Sequence, residues 1–313
     1  MTGKYNAQIH LYKLKQQSIG MQLLLFHNYY AEYEKVNIKL ANCSHASIVI
    51  NNRIDQQKQS CDSPFCPICA SAHRIRKECA IAYGVFDEIN QGIVLKNDRI
   101  LGNGRICNPY SSLLTLTVPK IPIYEFADTF KKLRADFKVF LEFQMEKQSG
   151  KWVSFDQSLL GHSVYYHLSL KNDYAGNPVV GVHLHAILLL KPSFKGLNSI
   201  TSDMITDGWS EVVGQHKKLQ TNIKSIPLTQ TDFIRTVAYG LAKWDFDEAI
   251  ANPDKFVQLI PYTKGQKFQA HDGEIATLRK KVQKYHKSKQ NFYKAKTILT
   301  TMYKIKDQFY VVS

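Results

Sequence analysis

Apolar and polar positions along this chain follow two periods. Over residues 113–118, Leu114, Leu116 and Val118 alternate with Thr115 and Thr117 before Pro119 ends the run, as expected of a strand with one face on a core. Residues 164–170 form a second β-rich run, and residues 179–190 a third that is longer and more apolar. The last two flank Asn172, Asp173, Tyr174, Ala175, Gly176, Asn177 and Pro178, a run rich in turn formers, which predicts an antiparallel hairpin. Helical spacing governs the stretch between first strand and hairpin. Phe126, Phe130, Leu133, Phe137 and Phe140 recur at steps of four and three, with Lys and Asp opposite. A further helix is predicted over 231–244, where Ile234, Val237 and Leu241 form one stripe. Strand, helix, hairpin and helix in that order predict an α+β fold, a central antiparallel sheet with flanking helices.

Composition divides the chain. Residues 1–40 are polar and aromatic without a period and read as an N-terminal arm or accessory helix. Residues 41–80 hold five of the six cysteines, residues 81–250 carry the strand and helix pattern, and residues 251–313 are a basic C-terminal extension. The net charge is +15, which favours a polyanionic partner, with nucleic acid the usual one. A membrane surface is the rival, but no run of about 18 apolar residues could span a bilayer. Residues 1–17 lack the apolar region of a signal peptide. A cytoplasmic protein without a membrane partner is therefore expected. Between Ile275 and Lys306 there are ten Lys or Arg and no Asp or Glu. Arg279, Lys280, Lys281, Lys284 and Lys287 are the candidate phosphate contacts, with aromatic residues interleaved.

Three constellations carry chemistry. Cys61, Cys66 and Cys69 give C-x4-C-x2-C, a spacing that aims thiolates at one ion. Cys43 is the first choice for a fourth zinc ligand, with His45, His73 and Cys79 as alternatives. Such a segment is short of core, and a structural zinc would stabilise it. Second, His183 and His185 lie two apart in a strand and so share a face. If the hairpin is symmetric about the turn near Tyr174, His167 falls opposite residues 182–183, although a slip of one would turn it away. Three imidazoles could then converge on one divalent ion. Third, Tyr239 and Lys243 are i and i+4 on a helix, about 40° apart at about 100° per residue. Gly240 between them weakens that helix by about 1 kcal/mol relative to Ala.

The order of these elements resembles the plasmid rolling-circle replication initiators of the HUH endonuclease superfamily, over about residues 43–250. Leu114, Thr115, Leu116 and Thr117 look like the family's first motif, His183-Leu184-His185 matches its His-hydrophobic-His metal motif, and Tyr239 with Lys243 looks like its nucleophile helix. Cys43, Cys61, Cys66 and Cys69 resemble the cysteine segment that precedes the first motif in many plasmid members. Three positions depart. The Tyr–Lys gap is four where the family usually has three. Gly181 stands where many relatives have a histidine, and His167 where relatives often have a glutamate.

The resemblance implies an HUH, ferredoxin-like nuclease fold over 81–250 beside a small cysteine-rich zinc segment. It implies Mn²⁺ or Mg²⁺ held by His167, His183 and His185, with Mn²⁺ the better match to imidazole. Tyr239 would be the nucleophile that attacks single-stranded or cruciform origin DNA, forming a 5′-phosphotyrosine and a 3′-OH primer. A free tyrosine ionises near pH about 10, and Lys243 would favour its phenolate or stabilise the transition state. Tyr262 and Tyr285 are the nearest competing tyrosines. A host helicase and polymerase are the implied partners. The alternatives are a non-catalytic zinc-dependent DNA-binding regulator and, within the superfamily, a conjugative relaxase or single-strand transposase.

Overall fold

The computed structural model describes residues 74–94, 106–146, 149–192, 200–215, 218–226, 229–241, 253–263 and 265–285. The described chain opens with helix α1 (Arg74–Asn90) and the short strands β1 (Ile93–Val94) and β2 (Ile106–Cys107). It continues through β3 (Tyr110–Thr117), β4 (Ile121–Pro122), α2 (Phe126–Glu142), β5 (Met145–Glu146) and β6 (Trp152–Val153). The long strands β7 (Leu159–Asn172) and β8 (Pro178–Leu190) come next, then α3 (Ser202–Val212), β9 (Thr221–Ile226) and α4 (Gln230–Leu241). Helix α5 (Pro253–Thr263), strand β10 (Gln269–Asp272) and helix α6 (Gly273–Tyr285) complete the described chain.

The main sheet runs β10-β7-β8-β3-β9, every pairing antiparallel, with β4 taking up β8 beyond the end of β3. The expected α+β architecture and hairpin are both present. The turn is held by Asp173, whose carboxylate accepts from the backbone N–H of Ala175 and Asn177 and from the Asn177 side-chain amide. That fixed turn sets the register, and His167 pairs directly with His183.

Alternation then sorts the residues onto two faces. One face of β3, β7 and β8 presents Leu114, Leu116, Val164, Tyr166, Leu168, Val182, Leu184 and Leu188 to a core shared with α2, α3 and α5. Phe126, Phe130, Phe137 and Phe140 of α2 and Trp209 of α3 fill it, all essentially without solvent exposure. The opposite face carries Tyr165, Ile187, Leu189 and Ile226 against α1, α4 and α6. Helices therefore cover both faces.

Two expected boundaries move. The division at 80/81 falls inside α1, whose Cys79, Ala82, Val85, Phe86 and Ile89 belong to the second core. The division at 250 falls short of the sheet, because β10 pairs with β7 and Ile275 and Val282 of α6 pack beneath it. Residues 1–73 and 286–313 lie outside the described residues, and with them the N-terminal arm and most of the basic tail.

Candidate active site

The polar part of the second face lies where β7, β8 and β3 meet beside α4. On β8, His183 is opposite His167 of β7 and Thr117 of β3, while His185 is opposite Tyr165 of β7 and Thr115 of β3. Directly paired residues share a face, so all six side chains start from the same side of the sheet. His167 and His185 are buried, and His183 is exposed. The rings of His167 and His185 have centroids 4.5 Å apart.

Helix α4 adds the tyrosine. Of the predicted stripe, Ile234 and Val237 are buried and Leu241 is half-buried, and Phe233 and Ala238 are buried beside them. Tyr239 does not face open solvent. It is half-buried, and its ring stands edge-on to His185 with centroids 5.2 Å apart. The chain segments that carry the histidines and the tyrosine are thus brought together. Tyr262 packs against the core on the other side of the sheet, and the Tyr285 side chain lies outside the described residues.

Hydrogen bonds fix the ring nitrogens. His167 Nε2 lies within hydrogen-bond distance of the Gly240 carbonyl. A carbonyl only accepts, so Nε2 carries the proton and the lone pair of the neutral ring sits on Nδ1. His185 Nδ1 lies 3.0 Å from Thr115 Oγ1. When Nδ1 donates there, Nε2 keeps its lone pair. Metal-binding histidines usually have this arrangement, one nitrogen donating to an oxygen and the other turned to the ion. The ring chemistry therefore fits a divalent ion. Among the described residues, no three His, Cys, Asp or Glu side chains already form a cluster that would hold one.

Beside this site lies a second polar group, which no motif in the sequence marks. Ser163 Oγ is 2.8 Å from His271 Nδ1, and the His271 ring stands edge-on to Tyr165 at 6.1 Å. Burial, then the Arg279 cation and His162, lower the His271 pKa to about 3. Arg279 Nη2 donates to Glu78 Oε2 at 2.7 Å, both side chains buried. Arg279 was expected among the phosphate contacts, but here it ties α6 to α1. Lys281 is ion-paired with Glu88 of α1, while Lys280 and Lys284 are on the exposed side of α6. The sequence signal for Arg279 was its position beside the Ile275, Leu278 and Val282 stripe, which the count of charges obscured.

Other expected site residues fall outside the described ones: Lys243, Lys287, Cys43, Cys61, Cys66 and Cys69, together with the alternatives His45 and His73. Cys79, the remaining alternative zinc ligand, is wholly buried in α1. Burial, with the Glu78 carboxylate next to it, pushes its thiol pKa up and disfavours the thiolate that zinc requires. Among the described residues, no helix is long and apolar enough to cross a membrane. Comparison with family models, curated proteins and solved structures returned no match.

Proposed function

We propose that this chain is a metal-dependent, tyrosine-nucleophile DNA endonuclease and strand transferase, a rolling-circle replication initiator of the HUH class. The observation that carries this reading is Tyr239 on α4, edge-on to His185 of a strand whose His183 is paired with His167. A phenol beside a group of imidazoles is a rational arrangement for phosphoryl transfer. Its sequence order, with Thr115 and Thr117 on the preceding strand, agrees with the family resemblance.

His167 through Nδ1, His185 through Nε2 and His183 would hold Mn²⁺ or Mg²⁺. When bound, such an ion polarises the scissile phosphate and neutralises developing charge. Thr115 and the Gly240 carbonyl orient two of the rings. The Tyr239 oxygen attacks phosphorus, the Oη–P bond forms and the P–O3′ bond breaks. The phenolic proton is lost and the departing 3′ oxygen takes one up, leaving a 5′-phosphotyrosine and a 3′-OH. Lys243, one helical turn on in the sequence, would supply a cation near the phenol. The ester conserves bond energy, so rejoining needs no nucleotide cofactor. Zinc on Cys43, Cys61, Cys66 and Cys69 would be structural. Single-stranded or cruciform origin DNA is the substrate, with a host helicase and polymerase downstream in the cytoplasm.

The test uses the full chain and a labelled single-stranded oligonucleotide in Mn²⁺. Wild type is expected to form a denaturant-resistant adduct that excess EDTA prevents. Tyr239→Phe should lose the adduct while keeping its melting temperature and DNA affinity. Cutting without an adduct would assign the attack to water. Binding without cutting would leave a DNA-binding regulator.

A further inference from the structure

We infer that Gly240 is a positioning residue, a latch that sets Tyr239 against the histidine strand through contacts to Tyr165 and His167. The inference rests on the reading of Tyr239 as nucleophile, and its geometry rests on three observations. First, a Cβ built on Gly240 would lie 2.7 Å from Tyr165 Cδ2, 3.1 Å from Cγ and 3.3 Å from Cε2. Real side chains essentially never approach a ring that closely. Second, the Gly240 carbonyl accepts a hydrogen bond from the Nε2–H of His167. That carbonyl lies in the last described turn of α4, and its oxygen has lone pairs to accept this bond. Third, the residue before Gly240 is Tyr239, edge-on to His185, whose ring neighbours that of His167.

Tyr165 has nowhere to retreat. It is 2 % exposed, it is paired with His185 across the hairpin, and His271 stands against its ring. A methyl group at position 240 would therefore move the helix rather than the ring. The displacement would stretch the His167 bond and carry Tyr239 off its station by a fraction of an ångström or more. Glycine weakens a helix interior, so its presence here is explained by close approach. An incidental helix glycine would behave in the opposite way, and alanine in its place would raise the melting temperature.

The test compares wild type, Gly240→Ala, Tyr165→Leu and the double variant. The first readout is the imidazole N–H proton resonance of His167 in protein free of DNA and metal, assigned by its loss in His167→Gln. The second is the rate of Tyr239 adduct formation. Gly240→Ala should abolish or shift the resonance and slow the adduct roughly 100-fold, the scale of an ångström's misplacement. Tyr165→Leu makes room for the methyl, so the double variant should regain both relative to Gly240→Ala. An unmoved resonance, an unchanged rate and a higher melting temperature in Gly240→Ala would overturn the latch. So would a double variant no better than the single. The resonance is independent of the nuclease reading. A wild type that forms no adduct, yet shows the resonance and loses it in Gly240→Ala, supports the latch and refutes the nuclease.

Discussion

Strands β7 and β8 send alternate residues to two environments built on different chemistry. Towards α2, α3 and α5 they present Val164, Tyr166, Leu168, Val182, Leu184 and Leu188, and the core there is built mainly of leucine and phenylalanine. Towards α4 and α6 they present Ser163, Tyr165, His167, Ser169, His183 and His185, beside an apolar patch that includes Ile187 and Leu189. The first face excludes water around apolar rings. The second buries imidazoles, hydroxyls and an ion pair, each of which needs a partner to be tolerated. One hairpin thus divides its labour by residue parity. A slip of one residue would exchange the two sets, so the Asp173 turn that fixes the register also protects the site. Mutations on the two faces should accordingly fail in different ways.

The largest expected effect on stability is on the apolar face. Phe140 is fully buried, with its ring 5.4 Å from Trp209 and 5.8 Å from Phe155. Phe140→Ala should destabilise the chain by about 3–5 kcal/mol, measured by urea denaturation. The surviving folded fraction should still show the His167 resonance, because α2 lies across the sheet from Gly240. Loss of that resonance at unchanged stability would show that the two faces are not separable.

The next effect is on the polar face and turns on Arg279. Its partner Glu78 is buried with it, and removing one member leaves an uncompensated buried charge. Arg279→Ala should cost about 3 kcal/mol or more, whereas replacing both by apolar residues of similar volume should be far milder. At temperatures where the single variant stays folded, its salt dependence of DNA binding should match wild type. If Arg279 contacted phosphate, the log-log slope would fall by roughly 0.7 to 0.9. That result would return Arg279 to the DNA surface.

These residues also mark how far the sequence could be read. The two long strands, the phenylalanine helix and the placing of His167 opposite residues 182–183 were legible, because each rests on a local period or on a turn between two strands; the exact pairing with His183 came from the structure. Tyr239 was legible as a residue but not in its surroundings. Helical geometry put it away from the apolar stripe, yet the stripe alone could not show that His185 lies on that other side. Gly240 registered as a weakness in the helix, because its reason is the ring of Tyr165, far back along the chain. Arg279 was read as a phosphate contact, and His271 was missed, for a related cause. Strand β10 is four residues long with no run of alternation, and a charge count cannot distinguish a buried arginine from a solvated one. Long-range contacts decided each of these, and local pattern shows at most which side of a helix faces a core.

The smallest expected effect lies at the edge of the polar face, at His271. His271 donates or accepts at Nδ1 with Ser163, and its buried Nε2 has no hydrogen-bond partner among the described residues. Protonating the ring would place a second N–H in that unpartnered position, beside the Arg279 cation and His162. Its folded pKa is accordingly lowered to about 3, with burial the first cause, while an unfolded histidine titrates near about 6.5. Below pH about 6.5 the unfolded chain takes up a proton that the native ring refuses. Stability therefore falls as the pH drops from about 6.5 towards about 3, with a slope from this residue approaching about 1.4 kcal/mol per pH unit. Burial lowers the His162 pKa in the same direction, which adds to the fall. His271→Gln keeps a polar group near Ser163 but cannot titrate. Urea denaturation of wild type and variant at pH 7, 6 and 5 should give curves that diverge least at pH 7 and change relative to each other as the pH falls, with the variant losing stability less steeply. Parallel curves would mean that His271 titrates normally in the native chain. The polar face would then be open to water at this edge, and the division between a dry face and a sealed polar one would end at β7.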